Sequence, residues 1–474
     1  MNPFLGVFFH WLGGLASGSF YVPYRFVRRW SWEVYWLCGG FMSWIIAPWV
    51  LAILLTKGLL PTLTATWQIE PGSMCWAFLF GMMLGVGGLT FGLTMRYLGM
   101  SLGMAVALGY CTVLGSLMPP IFKGEFVSVI LSSPAGWVNL FGLGVCVLGI
   151  ALAGAAGLSK EREMSDEEKR ESIKEFSFVK GMIVATISGV FSAGMSYAMA
   201  AAEPIGVSSE YFGTGTLWTG LPKLCVILLG GFATNFLWCA FLLVKNGTLY
   251  EYTAKFLKSE CEPGKDGAAV PKSGIKAIPL IRNYFFSMLA GLTWYMQFFF
   301  YSMGETQMGS FKFSSWTLHM ASIIVFSSLW GIALAEWKGT SRLTKSLLFL
   351  AIGTLLYSTL VVGYSNYMNA NADKEAVAVV DVAGAQKSGD GVEAVWKTTA
   401  PADLSRTVPA IDPDTEAEIT APAAEYAVYT SLSAEQAQQR RAKLESVEQR
   451  KADADKRKAE VQQKLRELYP KEGQ

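Results

Sequence analysis

Long apolar runs separated by short charged patches occupy the first three-quarters of the chain. A helix needs about 20 residues to cross the hydrocarbon of a bilayer. Read with that window, the pattern predicts ten membrane segments at 4–23, 33–56, 73–95, 99–121, 136–157, 180–201, 217–244, 280–303, 313–337 and 343–364. The third and fourth are parted by little more than Arg96, Tyr97 and Leu98. The first is not read as a removable leader, because no basic residue precedes it and His10 interrupts its apolar run.

Beyond residue 364 the pattern disappears. Residues 365–433 are rich in Ala, Val, Thr, Asp and Pro without periodicity, which predicts a disordered tether. Residues 434–469 are helix-prone. Leu444, Val447, Ala454, Val461, Leu465 and Leu468 fall on a and d positions of one heptad register, with Lys451 and Lys458 at the remaining a sites. That fits either a single solvated helix or a weak coiled coil with a partner. The tether shows no apolar face, so the tail is expected to be dispensable for whatever the apolar part does.

Composition agrees with the division. Of 474 residues, 16% are charged and 52% hydrophobic, against about 25% charged in a soluble domain. Residues 1–364 hold 24 Lys and Arg against 18 Asp and Glu, while the rest hold 15 against 19. A single soluble globule is excluded. So is a disulfide-stapled secreted domain, since six of the seven cysteines sit inside apolar runs and none has C-x-x-C spacing. The fold class is all-α and polytopic, with ten transmembrane helices and a polar C-terminal tail. The basic residues adjoin apolar segments, so membrane topology accounts for them and no nucleic-acid partner is implied.

Charge also orients the chain. The loops after segments 1, 3, 5, 7 and 9 carry twenty Lys and Arg; the four alternate loops carry one each, Lys57, Lys123, Lys223 and Lys312. By the positive-inside rule the first set is cytoplasmic, and both termini lie outside.

Internal echoes suggest duplication. Gly14-Leu15-Ala16-Ser17 in segment 1 resembles Gly189-Val190-Phe191-Ser192 in segment 6, and Gly88-Leu89-Thr90-Phe91 in segment 3 resembles Gly291-Leu292-Thr293-Trp294 in segment 8. Each pair links a segment to the fifth one after it. Five is odd, so the second half must be inverted. The expected organisation is a first five-helix repeat over 1–157, a linker over 158–179, a second repeat over 180–364, the tether over 365–433 and a charged helix over 434–474.

The candidate chemistry lies in residues that lipid should reject. The chain has two histidines, His10 and His319, and both fall inside apolar segments. Each is either a neutral ring satisfied by a neighbouring helix or a proton carrier, a role that suits a side chain titrating near neutrality. Glu33, at the start of segment 2, fits helix capping first and proton coupling second. Arg96 fits snorkelling or a cytoplasmic gate. Glu203 and Glu305 fall at segment ends. Gln297 lies mid-segment among aromatics, on one helix face with Trp294. It could hydrogen-bond a sugar hydroxyl while a ring covers the sugar's apolar face, or bond another helix. Trp316, Tyr21 and Ser17 complete the candidate substrate contacts. No phosphate-binding loop, H-E-x-x-H motif or Cys/His cluster is present. Neither an enzyme, a cofactor nor a metal is expected, and an ion gradient is the expected energy source.

At these residues the chain resembles the L-rhamnose–proton symporters, a branch of the drug/metabolite transporter superfamily. The resemblance rests on Gly6-Val7-Phe8-Phe9-His10, Phe20-Tyr21-Val22-Pro23, Arg29-Trp30-Ser31-Trp32-Glu33, residues 92–101, Phe191-Ser192-Ala193-Gly194-Met195-Ser196, Trp294-Tyr295-Met296-Gln297-Phe298-Phe299-Phe300-Tyr301 and Ser315-Trp316-Thr317-Leu318-His319-Met320. These stretches occur in the family's order over residues 4–364. The resemblance implies a ten-helix inner-membrane carrier importing L-rhamnose, or a related 6-deoxyhexose, with a proton. His10, Arg96, Gln297 and His319 match the family's motifs. The long loop 7–8, Gly304-Glu305-Thr306-Gln307 and the tail depart from it. An exporter or exchanger of another metabolite, and a receptor signalling through its tail, remain the alternatives.

Overall fold

The computed structural model describes residues 2–98, 100–122, 124, 126–164, 178–257, 261–263, 269–271, 277–308, 314–335, 337–388 and 456–470. It divides into two units: Met1–Tyr367 with Lys458–Gln474, and Met368–Arg457.

The first unit is helical almost throughout. Helix α1 (Pro3–Ser19) starts at Asn2, whose side chain accepts hydrogen bonds from the Phe4 and Leu5 amides. A short α2 (Tyr21–Tyr24) follows. Segment 2 consists of α3 (Trp32–Gly40), a π-helical turn (Phe41–Ile46) and α4 (Ala47–Leu55). After α5 (Leu59–Ile69) come α6 (Pro71–Leu98), α7 (Met100–Phe122) and α8 (Pro134–Glu163). Segment 6 is broken into α9 (Phe178–Ser192) and α10 (Gly194–Ala201), and a short α11 (Glu203–Tyr211) follows it. Then come α12 (Gly220–Asn246), α13 (Leu280–Thr306), α14 (Ser314–Ala333), α15 (Arg342–Ser388) and α16 (456–468). One amendment to the all-α expectation is a two-stranded antiparallel ribbon in the long loop, β1 (Cys261–Pro263) with β2 (Ala269–Pro271).

Among the described residues, eight helical stretches are long and apolar enough to cross a membrane. They coincide with eight of the ten expected segments. The other two segments fall on α1, which is 17 residues long, and on α13, which is longer but carries more polar residues.

Packing follows a regular scheme. Helix α1 lies against α13 and α14, and α9 lies against α6 and α7. Helix α3 packs on α13, and α12 packs on α6. Glycine makes these approaches possible: a methyl on Gly14 would overlap Ser322, and one on Gly189 would stand 2.5 Å from the Tyr110 Cβ. In lipid, close backbone approach replaces water expulsion as the source of helix association.

Both ends of the bundle are tied. On the face of the basic loops, Glu251 accepts from the Ser31 amide (2.6 Å) and hydroxyl (2.7 Å). There too Arg28 and Asn283 exchange backbone-to-side-chain bonds, at 3.0 and 2.8 Å. On the opposite face, the Lys57 amide donates to Thr214 Oγ1 (3.0 Å), and Lys223 pairs with Glu203 at 2.5 Å.

The second unit's described parts are the end of α15, which runs through to Ser388, and the first two residues of α16. The remainder of the expected tether and the heptad positions Leu444, Val447, Lys451 and Ala454 lie outside the described residues. The expectation of a solvated helix fails for the end of α16. From Lys458 on it belongs to the membrane unit, with Val461 and Leu465 buried against Ala65 and Val207. Those two residues are four apart and share a face, so one apolar stripe suffices to seat the helix.

Candidate functional site

Three helix faces converge on the histidines. On α1, Gly6, His10, Gly13 and Gly14 recur at helical spacing, so the ring projects from a stripe of otherwise bare backbone. On α13 the facing positions are Gln297, Tyr301 and Gly304. On α14 they are Ser315, His319, Ser322 and Phe326. Tyr301 stands between the two histidines, with its ring centroid 5.3 Å from that of His10 and 5.3 Å from that of His319. Trp316 closes the group edge-on to Tyr301 at 5.6 Å, and its indole N–H donates to the Cys111 carbonyl (2.9 Å). Phe298 lies 6.4 Å from His319.

The missing side chains matter as much as those present. A methyl on Gly304 would stand 2.8 Å from Cε1 and Nε2 of His10, and one on Gly13 would stand 3.3 Å from Nδ1 of His319. Ser322 Oγ lies 3.0 Å from the His10 carbonyl and 2.8 Å from the His319 carbonyl, so its one proton serves either helix.

Both imidazoles are 0% exposed, and among the described residues none of their four nitrogens has a partner in hydrogen-bond geometry. The same holds for the buried Ser315 hydroxyl, one turn before His319. Leaving a buried polar group unpaired costs about 1–3 kcal/mol. Two histidines flanking one tyrosine in that condition form a polar site within an otherwise apolar bundle. Neutral imidazole has one free acceptor nitrogen and one donor, so the pair can accept a proton and still offer a hydrogen bond.

The other expected site residues are distributed. Gln297 is buried one turn before Tyr301, and its backbone carbonyl lies against Gly13. Trp294 packs on Trp44 of the π-helical turn, 4.5 Å between rings. Ser17 is half-buried, two turns along α1 from His10. Tyr21 is 54% exposed, lies against Phe20 and is not part of the cluster. Glu33 lies apart as well: its Oε1 accepts from Asn246 Nδ2 (2.9 Å) and Thr248 Oγ1 (2.7 Å) on the basic-loop face. Arg96 is within α6, but its side chain lies outside the described residues. Tyr301, Gly13, Gly304 and Ser322 carry no mark of their own in the sequence. The signal for them was the 297/301/304 and 315/319/322 spacing, which shows only once it is known which helices meet.

Residues 2–367 match the family described as L-rhamnose-proton symport protein. The chain belongs to that family. The L-rhamnose-proton symporter of Yersinia pestis (strain Pestoides F) is 37% identical over 357 residues, 74% of this chain and 94% of the relative. That of Pectobacterium atrosepticum is 36% identical over 365 residues, 76% of this chain and 98% of the relative. This symport family is one of transporters rather than enzymes. The family match contains the whole histidine cluster and ends where α16 and the residues leading to it have yet to begin.

Proposed function

We propose that the protein imports L-rhamnose, or a related 6-deoxyhexose, together with a proton across the bacterial inner membrane, as two inverted five-helix halves with both termini in the periplasm. The observation that carries this reading is the buried His10–Tyr301–His319 group, whose imidazole nitrogens have no hydrogen-bond partner among the described residues, built from the first half by α1 and from the second by α13 and α14. The relatives at 36–37% identity are L-rhamnose-proton symporters, and they supply the sugar and the ion of this reading.

The packing scheme supports the inverted repeat. Segment 1 touches segments 8 and 9, and segment 6 touches segments 3 and 4; segment 2 touches 8, and segment 7 touches 3. Moving every number by five turns one set into the other, as a two-fold axis in the membrane plane requires. The Lys and Arg bias supports the orientation.

In this reading His319 and His10 share one proton, because a charge on one ring raises the cost of a second on its neighbour. Gln297, Trp316 and Trp294 are the sugar-side candidates, with Ser17 and Tyr21 further along the route. Glu33 holds the cytoplasmic end closed through Asn246 and Thr248, and Arg96 is assigned to the same end. Labelled rhamnose uptake into right-side-out vesicles tests the reading. Accumulation above the external level with an alkaline interior, and none without the gradient, is expected. Equilibration indifferent to the gradient would mean a uniporter or exchanger, and no flux at all would favour a receptor.

A further inference from the structure

The face opposite the basic loops is formed partly by α5, between segments 2 and 3, and by α11, between segments 6 and 7. These belong to different halves. Helix α16 touches both. Val461 (3% exposed) and Leu465 (0%) are buried against Ala65 of α5 and Val207 of α11. Tyr469 Oη donates to Gln68 Oε1 (2.8 Å), and its carbonyl accepts from Tyr211 Oη (2.8 Å). Lys458 pairs with Glu210 at 2.8 Å and Lys464 with Glu70 at 3.9 Å. Each side of the helix thus has one aromatic tie and one ion pair, to one half and to the other.

A ligand shifts a conformational equilibrium only through contacts that differ between the states. A helix bonded to two halves that move apart cannot keep both sets of contacts. We infer that α16 is an intramolecular clamp that docks across α5 and α11 and holds the periplasmic side of the carrier closed, slowing entry of the sugar. This rests on the transport reading above. Covalent attachment makes docking an intramolecular event, so a patch of this size is enough. Residues 368–474 lie beyond the family match, so the clamp is an addition to a carrier that is otherwise complete.

The test uses the full-length chain in right-side-out vesicles, with its native cysteines replaced because Cys75 is free and exposed, and with Ala65→Cys as the single reporter. Ala65 is 0% exposed beneath α16. Three further chains carry the reporter: Val461→Asp with Leu465→Asp, Lys458→Glu, and Lys458→Glu with Glu210→Lys. An impermeant maleimide should label the reporter slowly in the full chain and quickly in the first two variants, with protection returning in the charge-swapped pair. Rhamnose uptake at low external sugar should rise about 5-fold or more in the undocked variants and fall back in the swapped pair. Rapid labelling of the full chain would overturn docking. Slow labelling with uptake unchanged by undocking would overturn the clamp and leave the transport reading intact. Absence of uptake from every chain, including one truncated after Asn369, would overturn the transport reading and the clamp with it.

Discussion

Gly304 makes room for His10. The imidazole stands where an alanine methyl on α13 would press within 2.8 Å of two of its ring atoms. Gly304→Ala is therefore expected to displace the ring from Tyr301 without removing any titrating group. Expression and insertion should be near normal, with pH-driven rhamnose accumulation reduced at least several-fold. Accumulation at the full level would show that the position of His10 is not critical.

His319→Gln keeps a hydrogen-bonding side chain but cannot carry a proton. The expected outcome is sugar exchange down its gradient at close to the normal rate, with the accumulation ratio falling to about one. His10→Gln should show the same split if the two rings share the proton. Normal accumulation in both variants would move the proton site away from this cluster.

Glu251 and Ser31 form a latch on the basic-loop face, where two short bonds meet one carboxylate. Glu251→Ala leaves the Ser31 amide without its acceptor, a loss of about 1–3 kcal/mol. A lower melting temperature in detergent is expected. Ser31→Ala removes only the hydroxyl. A double-mutant cycle should give a coupling of about 0.5–3 kcal/mol; strict additivity would mean that the latch contributes nothing as a pair.

A single cysteine at position 380, in a chain otherwise free of cysteine, reports the side on which the tail lies. An impermeant maleimide should label it in intact spheroplasts. Labelling only after lysis would reverse the topology.

Much of this site could be read from the sequence because lipid makes polar residues conspicuous. His10 and His319 stand out for that reason. Tyr301 does not, since an aromatic among aromatics carries no mark until its neighbours are known. Gly304 falls in a stretch that departs from the family pattern. Its role depends on a ring from α1, nearly three hundred residues away. Glu33 is conspicuous at a helix start, but its partners come from the far end of α12 and the loop beyond. Val461 and Leu465 showed their common face. The surface that receives them is assembled from two short helices on separate loops, and no local pattern announces it.

The bare stripe on α1 reverses an ordinary expectation about glycine. In water each of Gly6, Gly13, Gly14 and Gly18 weakens a helix by about 1 kcal/mol relative to alanine, so a segment with four of them has little helical tendency of its own. The bilayer supplies what the segment lacks, because a backbone surrounded by hydrocarbon has no other way to satisfy its amides. Detergent does so less completely. Helix α1 should then be the earliest part of the bundle to fray on solubilisation, visible as rapid amide exchange in 3–19, and added lipid should restore its protection before that of any other helix.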